Sequence, residues 1–300
     1  MRNLLYSDIE MTMPLHQRGL LRHIHDLNRW NPDNFCPFYI TDHRVGYLKH
    51  YLCDALKQWP NYFSITDDAV RFSAEVDRVD DRSHVLDEVV HLLVEQGVIK
   101  YYLGETYPVT GASRDQVLAK MDRGAASHFG IKTYGQHLNG YDNSNQGLKL
   151  WTARRAPDRI RFPNMLDNLV AGGLPENLSL YNNLIKECEE EANIPVDLVK
   201  TAKAVGVVSY CRETEIGLKP DTLYCYDLEL PETFVPQNTD GEVSEFQLLP
   251  VEEIIELIRN TNEFKPNSNL VNLDFLIRHG LISPDEPDYL ELVSGLHGVT

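Results

Sequence analysis

The chain has 300 residues, a length that suits two domains of ordinary size. Hydrophobic content of 42% and charged content of 24% are those of a soluble globular protein able to bury a large core. A formal net charge of −17 argues against a basic nucleic-acid surface and against a polybasic membrane contact. A phosphorylated small molecule stays open as a partner, because metal ions and a few local cations can outweigh a global charge.

Five cysteines, at 36, 53, 188, 211 and 225, form no Cys-x-x-Cys pair and are odd in number, which reads as free thiols in a reducing cytoplasm. The stretch Met1 to Asp8 lacks an apolar core of signal-peptide length. No run approaches the roughly 20 apolar residues that a membrane span needs.

In chain order, residues 14–30 read as a helix, with Leu20, Leu21, Ile24, Leu27 and Trp30 at helical spacing. His16, His23 and His25 lie there too. A metal reading of His23 and His25 is poor, because alternate helix positions point about 200° apart. Phe35 to Ile40 reads as a strand. Val45 to Trp59 reads as a second helix, with Tyr47, Leu48, Tyr51, Leu52, Ala55 and Leu56 inward. Tyr62 to Phe72 reads as a hairpin around Asp67-Asp68. Ser83 to Gln96 is a third expected helix, closed by Gly97. Val98 to Val109 reads as strand and turn, and Ser113 to His128 as a helix leading onward. A small α+β domain is therefore placed at residues 1–112, with no catalytic constellation of its own, and a second domain at 113–300.

The second half alternates differently. Thr133 to Tyr141 and Leu148 to Arg155 read as antiparallel strands around an Asn-Ser-Asn-Gln-Gly turn. Asp167 to Ala171 is a short strand running into a loop at Gly172-Gly173. Beyond it, a helix carries Glu187, Glu189, Glu190 and Glu191 and stops before Pro195, where the chain is biased out of the helical region. Lys203 to Cys211, Asp221 to Glu229 and Val243 to Leu248 are further strands, and Val251 to Arg259 a further helix.

The acidic helix carries the chemistry. Glu187, Glu190 and Glu191 are spaced i, i+3, i+4 and share one face, beside an apolar stripe of Leu178, Tyr181, Leu184, Ile185, Cys188 and Ala192. Like charges at that spacing destabilise a helix, and these sit near the negative end of its dipole. A compensating cation is therefore expected, and a hard divalent ion shared with substrate phosphate oxygens is the natural one. An ordinary helix with a solvated acidic face is the plain alternative.

This stretch resembles the Nudix box, Gly-x5-Glu-x7-Arg-Glu-U-x-Glu-Glu-x-Gly-U, with U a bulky aliphatic residue. Lys186 to Ile194 falls on its second half, and the resemblance implies that Glu187, Glu190 and Glu191 are catalytic metal ligands. Lys186 stands for Arg, Cys188 for the aliphatic, and Asn193 for Gly, a position Asn tolerates because it accepts left-handed backbone. The glycine of the box falls on Gly172, or on Gly173 if the loop is one residue shorter. The first box glutamate is replaced by Leu178, with Glu176 nearby in sequence.

The likeness extends over roughly residues 14–293. Tyr134 to Tyr141, Leu150 to Arg155, Leu166 to Gly173, Cys225 to Pro231, Asp240 to Val243, Lys265 to Asn267 and Asp274 to Gly280 look like one Nudix branch. Its N-terminal domain is related to thiamine pyrophosphokinase, and Phe38 to Trp59 and Glu105 to Val109 look like parts of that domain. The resemblance implies an α+β protein: a Nudix α/β/α sandwich with a mixed sheet, preceded by a small α+β domain that shapes the substrate site. It also implies Mg²⁺- or Mn²⁺-dependent hydrolysis of thiamine diphosphate or its oxidised analogues, releasing phosphate and a monophosphate. Another Nudix substrate, such as a nucleotide sugar or dinucleotide, and a non-catalytic diphosphate-binding module are the alternatives.

For the remaining site residues, Glu242 is the expected extra catalytic carboxylate, with Glu245 as fallback. Gly172 and Gly173 would present backbone to metal and phosphate. Arg154 and Arg155 point to opposite faces of a strand, so one of them would meet phosphate, and Lys265 is a third candidate. Tyr141 and Trp151 could stack on a substrate ring, though core packing is the commoner fate. The sequence does not reveal the oligomeric state; Nudix folds often dimerise, which leaves a homodimer open.

Overall fold

Residues 19–144 and 147–298 are described by the computed structural model. Strand β1 (Phe35–Ile40) turns back at Thr41, whose φ is 53°, and pairs antiparallel with β2 (His43–Lys49). The helix expected over 45–59 is thereby cut to α2 (His50–Leu56). Its upstream part belongs to a hairpin because its contacts are those of a strand. Gly46 lies against the Phe129 and Gly130 backbone, where a side chain would not fit, and the Tyr47 N–H donates to the Phe129 carbonyl at 3.2 Å.

β3 (Phe63–Ile65) and β4 (Val70–Phe72) make the expected hairpin, completing a sheet of order β2-β1-β4-β3. Helix α3 (Val79–Glu95) starts upstream of Ser83, with Asp80 and Asp81 in its first turn, where the dipole favours anions. It ends before Gly97, at φ 72°.

Segment 113–128 is not the expected helix. It holds β6 (Val117–Asp122), paired antiparallel with β5 (Thr106–Thr110). Ala119 and Met121 alternate inward to a core cluster that draws on residues 36–131. The Asp122 carboxylate ends the strand by accepting the backbone N–H groups of Leu103, Gly104 and Gly124.

The second sheet has the order β11-β12-β7-β8-β13, from β7 (Thr133–Asp142), β8 (Lys149–Arg155), β11 (Lys203–Glu213), β12 (Leu218–Glu229) and β13 (Val243–Pro250). β12 runs parallel to β7, and the other pairs are antiparallel, so the sheet is mixed. The expected turn between β7 and β8 includes residues 145–146, which lie outside the described residues, as does His16. Two short strands branch from this sheet: β9 (Leu166–Asn168) on β8 and β10 (Val170–Gly173) on β7.

Helices cover both faces. On one lie α4 (Leu180–Ala192) and α5 (Val196–Val199), packed through Leu184, Cys188, Ala192 and Val199 onto Leu138, Val170 and Leu228. On the other lie α6 (Val251–Asn260), α7 (Pro266–Arg278) and α8 (Tyr289–Leu296), around Val208, Leu223 and Cys225. Helix α1 (Leu21–Leu27) joins this second face through Leu20, Ile24 and Leu27, although it opens the described chain. The result is the three-layer α/β/α arrangement with an additional N-terminal sheet. No described helix is long and apolar enough to cross a membrane.

Candidate active site

Helix α4 starts at Ser179, whose hydroxyl accepts the Asn182 N–H at 3.2 Å. It stops at Asn193, where φ 51° and ψ 41° give the left-handed cap expected in place of glycine. Leu178 therefore precedes the helix, and Tyr181, expected on the apolar stripe, is exposed.

The diglycine is strand, not loop: Gly172 and Gly173 end β10, opposite Gln136 and Gly135 of β7. Close approach explains why no side chain stands there. A Cβ on Gly172 would collide with the Glu187 carboxyl and lie 2.7 Å from its Cγ. A Cβ on Gly173 would collide with the Tyr107 hydroxyl, brought in by β5. Asn183, fully buried in α4, donates to the Gly173 carbonyl at 2.9 Å and to Gln136 Oε1 at 2.8 Å, which ties helix, strand and neighbour together.

The three box glutamates do not behave alike. Glu191 is buried, and its Oε2 accepts the Ala171 N–H at 2.8 Å. Burial, with the Glu187 charge one turn away, pushes its pKa up to about 8 despite that hydrogen bond. Burial also raises Glu187, partly offset by Lys186, whose Nζ lies 3.3 Å from its Oε1. Glu190 turns towards solvent and pairs with Lys186 at 2.6 Å. Lys186 thus compensates part of the acidic face, reaching Glu187 and Glu190 but not the buried Glu191.

Glu187 and Glu191 offer hard oxygen donors on one side of the diglycine strand, which fits a divalent cation chemically. Glu190 is drawn away by Lys186. Among the described residues, no group of three His, Cys, Asp or Glu side chains is gathered as a metal cage. The pair fits an incoming ion, and the third ligand would have to leave its lysine.

Glu242 follows the tight Asp240 turn, pairs with Arg159 at 2.7 Å, and adds its charge to those raising Glu187 and Glu191. Glu245 is exposed and lies 3.8 Å from Arg154. Arg154 also meets Glu263 at 3.4 Å and the Asn164 carbonyl at 2.7 Å. Arg155 and Lys265 converge elsewhere, on the buried Asp167, at 3.2 and 2.8 Å. Burial alone would raise Asp167, but Lys265 and Arg155 hold it below the ordinary carboxylate range. The Ser268 hydroxyl donates to the same carboxylate at the start of α7, so this cluster anchors β9 to that helix. Tyr141 packs on Phe275 and His279, and Trp151 packs with the α4 face of the core. His23 bonds the Ile258 carbonyl and His25 meets Glu291.

Sequence reading missed the contribution of the β5–β6 hairpin. Tyr107 seals Gly173, and Arg123 stacks over the Tyr107 ring at 5.6 Å while pairing with Glu105 at 2.6 Å. Glu105 to Val109 stood out as a motif, but nothing in its spacing indicated that it meets the diglycine.

With this geometry in hand, comparison with known proteins assigns the class. A NUDIX domain profile matches residues 141–269, and a domain of unknown function, DUF4743, matches residues 19–133. Nudix hydrolase 20, chloroplastic, of Arabidopsis thaliana is 39% identical over 289 residues, covering 93% of this chain and 77% of that one. Nudix hydrolase 24, chloroplastic, of the same plant is 40% identical over 260 residues, covering 86% and 71%. Among solved structures, a C. elegans Ap4A hydrolase binary complex is 13% identical, covers 50% of this chain and 99% of that one, and gives a TM-score of 0.38. The chain belongs to the Nudix hydrolase family. It is a Nudix-type hydrolase, of a class that acts on diphosphate bonds and generally uses divalent metal ions.

Two outcomes follow from the packing. Gly172→Ala is expected to lower stability by roughly 1–3 kcal/mol, the usual cost of overpacking, and to abolish activity by displacing Glu187; thermal melting and turnover on the same sample check both. For Glu191 the folded pKa, about 8, lies above the ordinary value of 4.5, so the folded protein binds more protons between those pH values. Stability of the metal-free protein should therefore fall as pH rises from about 4.5 to 8. Glu191→Gln should flatten that fall and melt several degrees higher at pH 8; a variant melting lower than wild type at pH 8 contradicts the assignment.

Proposed function

We propose that the protein hydrolyses thiamine diphosphate or its oxidised analogues, with Mg²⁺ or Mn²⁺, releasing phosphate and a monophosphate. The observation that carries the hydrolytic site is Glu187 folded onto the bare backbone of Gly172, with Glu191 held by the Ala171 N–H one residue earlier. The thiamine assignment is supported by the branch motifs of both halves of the chain. When bound, the divalent ion supplies neutralisation of the charge that develops on the leaving phosphate.

Glu187 and Glu191 would hold the ion, joined by Glu190 once it leaves Lys186. Glu242 is the late carboxylate of the proposed catalytic set, and Glu245 its fallback. Gly172 and Gly173 are the proposed backbone contacts to metal and phosphate, with Glu187 and Tyr107 filling the space that side chains there would take. Of the proposed phosphate-binding cations, Arg155 and Lys265 would have to leave buried Asp167, whereas Arg154 need only leave partly exposed partners. Arg154 therefore carries most of that assignment. The two-unit division expected at 1–112 (substrate-shaping, thiamine pyrophosphokinase-related) and 113–300 (hydrolase) is proposed with its boundary moved beyond the β5–β6 hairpin, because β6 pairs with β5 and packs into the core drawn from residues 36–131. A homodimer in the cytoplasm is the proposed setting, and five unpaired cysteines suit a reducing compartment.

A non-catalytic diphosphate-binding module is the second reading, favoured by Leu178 at the first box glutamate and by Lys186 lying between Glu187 and Glu190. Phosphate release from oxidised thiamine diphosphate, nucleotide sugars and dinucleotides, with Mg²⁺ or Mn²⁺, separates the readings. Preferential release from the thiamine compound is expected. Glu187→Gln and Glu191→Gln should each reduce kcat by about 10²–10³, the equivalent of several kcal/mol of charge stabilisation. Preference for a nucleotide sugar overturns the substrate assignment, and binding without turnover on every compound overturns catalysis.

A further inference from the structure

A cleft of about 550 Å³ opens where the β5–β6 hairpin meets the segment between β10 and α4. That volume is in the range of small-molecule sites. Thr106 and Lys120 line it from the hairpin, and Glu176 and Lys186 line it from the box region. The two walls are pinned together. The Glu176 N–H donates to the Thr106 carbonyl at 3.1 Å, Arg114 donates to the Leu178 carbonyl at 3.0 Å, and Tyr107 closes on Gly173. The cleft is continuous with the acidic site, because Lys186 lines it and also touches Glu187.

Its charges are poised rather than locked. Lys120 meets Glu176 at 3.1 Å, with side chains 34% and 26% exposed. Lys186 meets Glu190 at 2.6 Å, both side chains being nearly half exposed. Ion pairs this wet are worth at most about 1 kcal/mol and yield to a competing anion. Leu178, where the box has glutamate, takes a carboxylate out of the same wall. The wall is therefore more receptive to an anion than the family pattern implies.

We propose that Lys120 binds a phosphate group of the substrate across this cleft from Lys186, displacing Glu176, which occupies the lysine in the absence of substrate. The N-terminal half then acts as part of the binding site, and Lys120 helps to select substrates long enough to reach from the acidic pair to the hairpin. This inference rests on the hydrolase reading above.

The test compares Lys120→Ala, Lys120→Arg and Glu176→Gln in the full chain. KM and kcat are read with thiamine diphosphate, and equilibrium binding is read by calorimetry with inorganic pyrophosphate in excess Mg²⁺. Lys120→Ala should raise KM and weaken pyrophosphate binding by roughly tenfold, the value of a charge-assisted hydrogen bond, with a smaller change in kcat. Lys120→Arg should recover most of the loss. Glu176→Gln should tighten binding, because it removes the competitor. A merely structural ion pair would make Lys120→Ala and Glu176→Gln shift in the same direction, and that result, or unchanged KM and binding in Lys120→Ala, overturns the proposal. Lys120-dependent pyrophosphate binding without any hydrolysis keeps the subsite and removes the catalytic reading. Hydrolysis with a Lys120-independent KM does the reverse, and neither binding nor hydrolysis by wild type overturns both.

Discussion

Two carboxylates lie against the end of β10, where Gly172 has no side chain to keep Glu187 away. Gly172 lets Glu187 reach the β10 backbone, and the Ala171 N–H one residue earlier holds Glu191. Much of the second half serves that contact. Leu184, Cys188 and Ala192 bury the inner face of α4, Asn183 fixes the Gly173 carbonyl, and the left-handed Asn193 stops the helix directly after the acidic cluster. Any side chain at Gly172 would push the helix outward and separate the pair from the backbone that orients it.

The arrangement stores electrostatic cost. Glu191 is buried and Glu187 largely so, they repel each other, Glu242 adds to the repulsion, and the negative end of the helix dipole is close by. Only Glu187 has a cation at hand, and Lys186 divides itself between it and Glu190. A protein selected for stability alone has little reason to keep Glu191 under these conditions. Relief by a divalent ion is the physical case for a site that uses one. Further along β9, buried Asp167 is treated differently, with Lys265, Arg155 and Ser268 all directed at it. Asp167 is neutralised by the chain, whereas Glu187 has only a shared lysine and Glu191 only a backbone N–H.

Local pattern carried the second half well, because its strands alternate and its acidic helix has clear start and stop signals. Three features were not legible. Residues 45–49 and 117–122 look helical by spacing, yet they become strands because tertiary partners claim them: Phe129 for the first, and Thr106–Thr110 for the second. The diglycine reads as a turn, because sequence alone cannot show that Glu187 and Tyr107 occupy the space where side chains would be. The proposed site was legible in its carboxylates, which lie close together in sequence. It was not legible in Lys120, Tyr107 and Arg123, which arrive from the other half of the chain. Nothing local to Arg155 and Lys265, both proposed as phosphate ligands, reveals that they share a buried partner, Asp167.

The proposed function depends on Glu187 and Glu191 holding a divalent cation together beside the end of β10. A crystal structure grown in saturating Mn²⁺, with the ion located by its anomalous signal, tests it most directly. The expected result is manganese bound by Glu187 and Glu191, with Glu190 released from Lys186 and turned towards the ion. Lys186 still bridging Glu187 and Glu190, with no manganese on the pair in crystals saturated with it, would contradict the account.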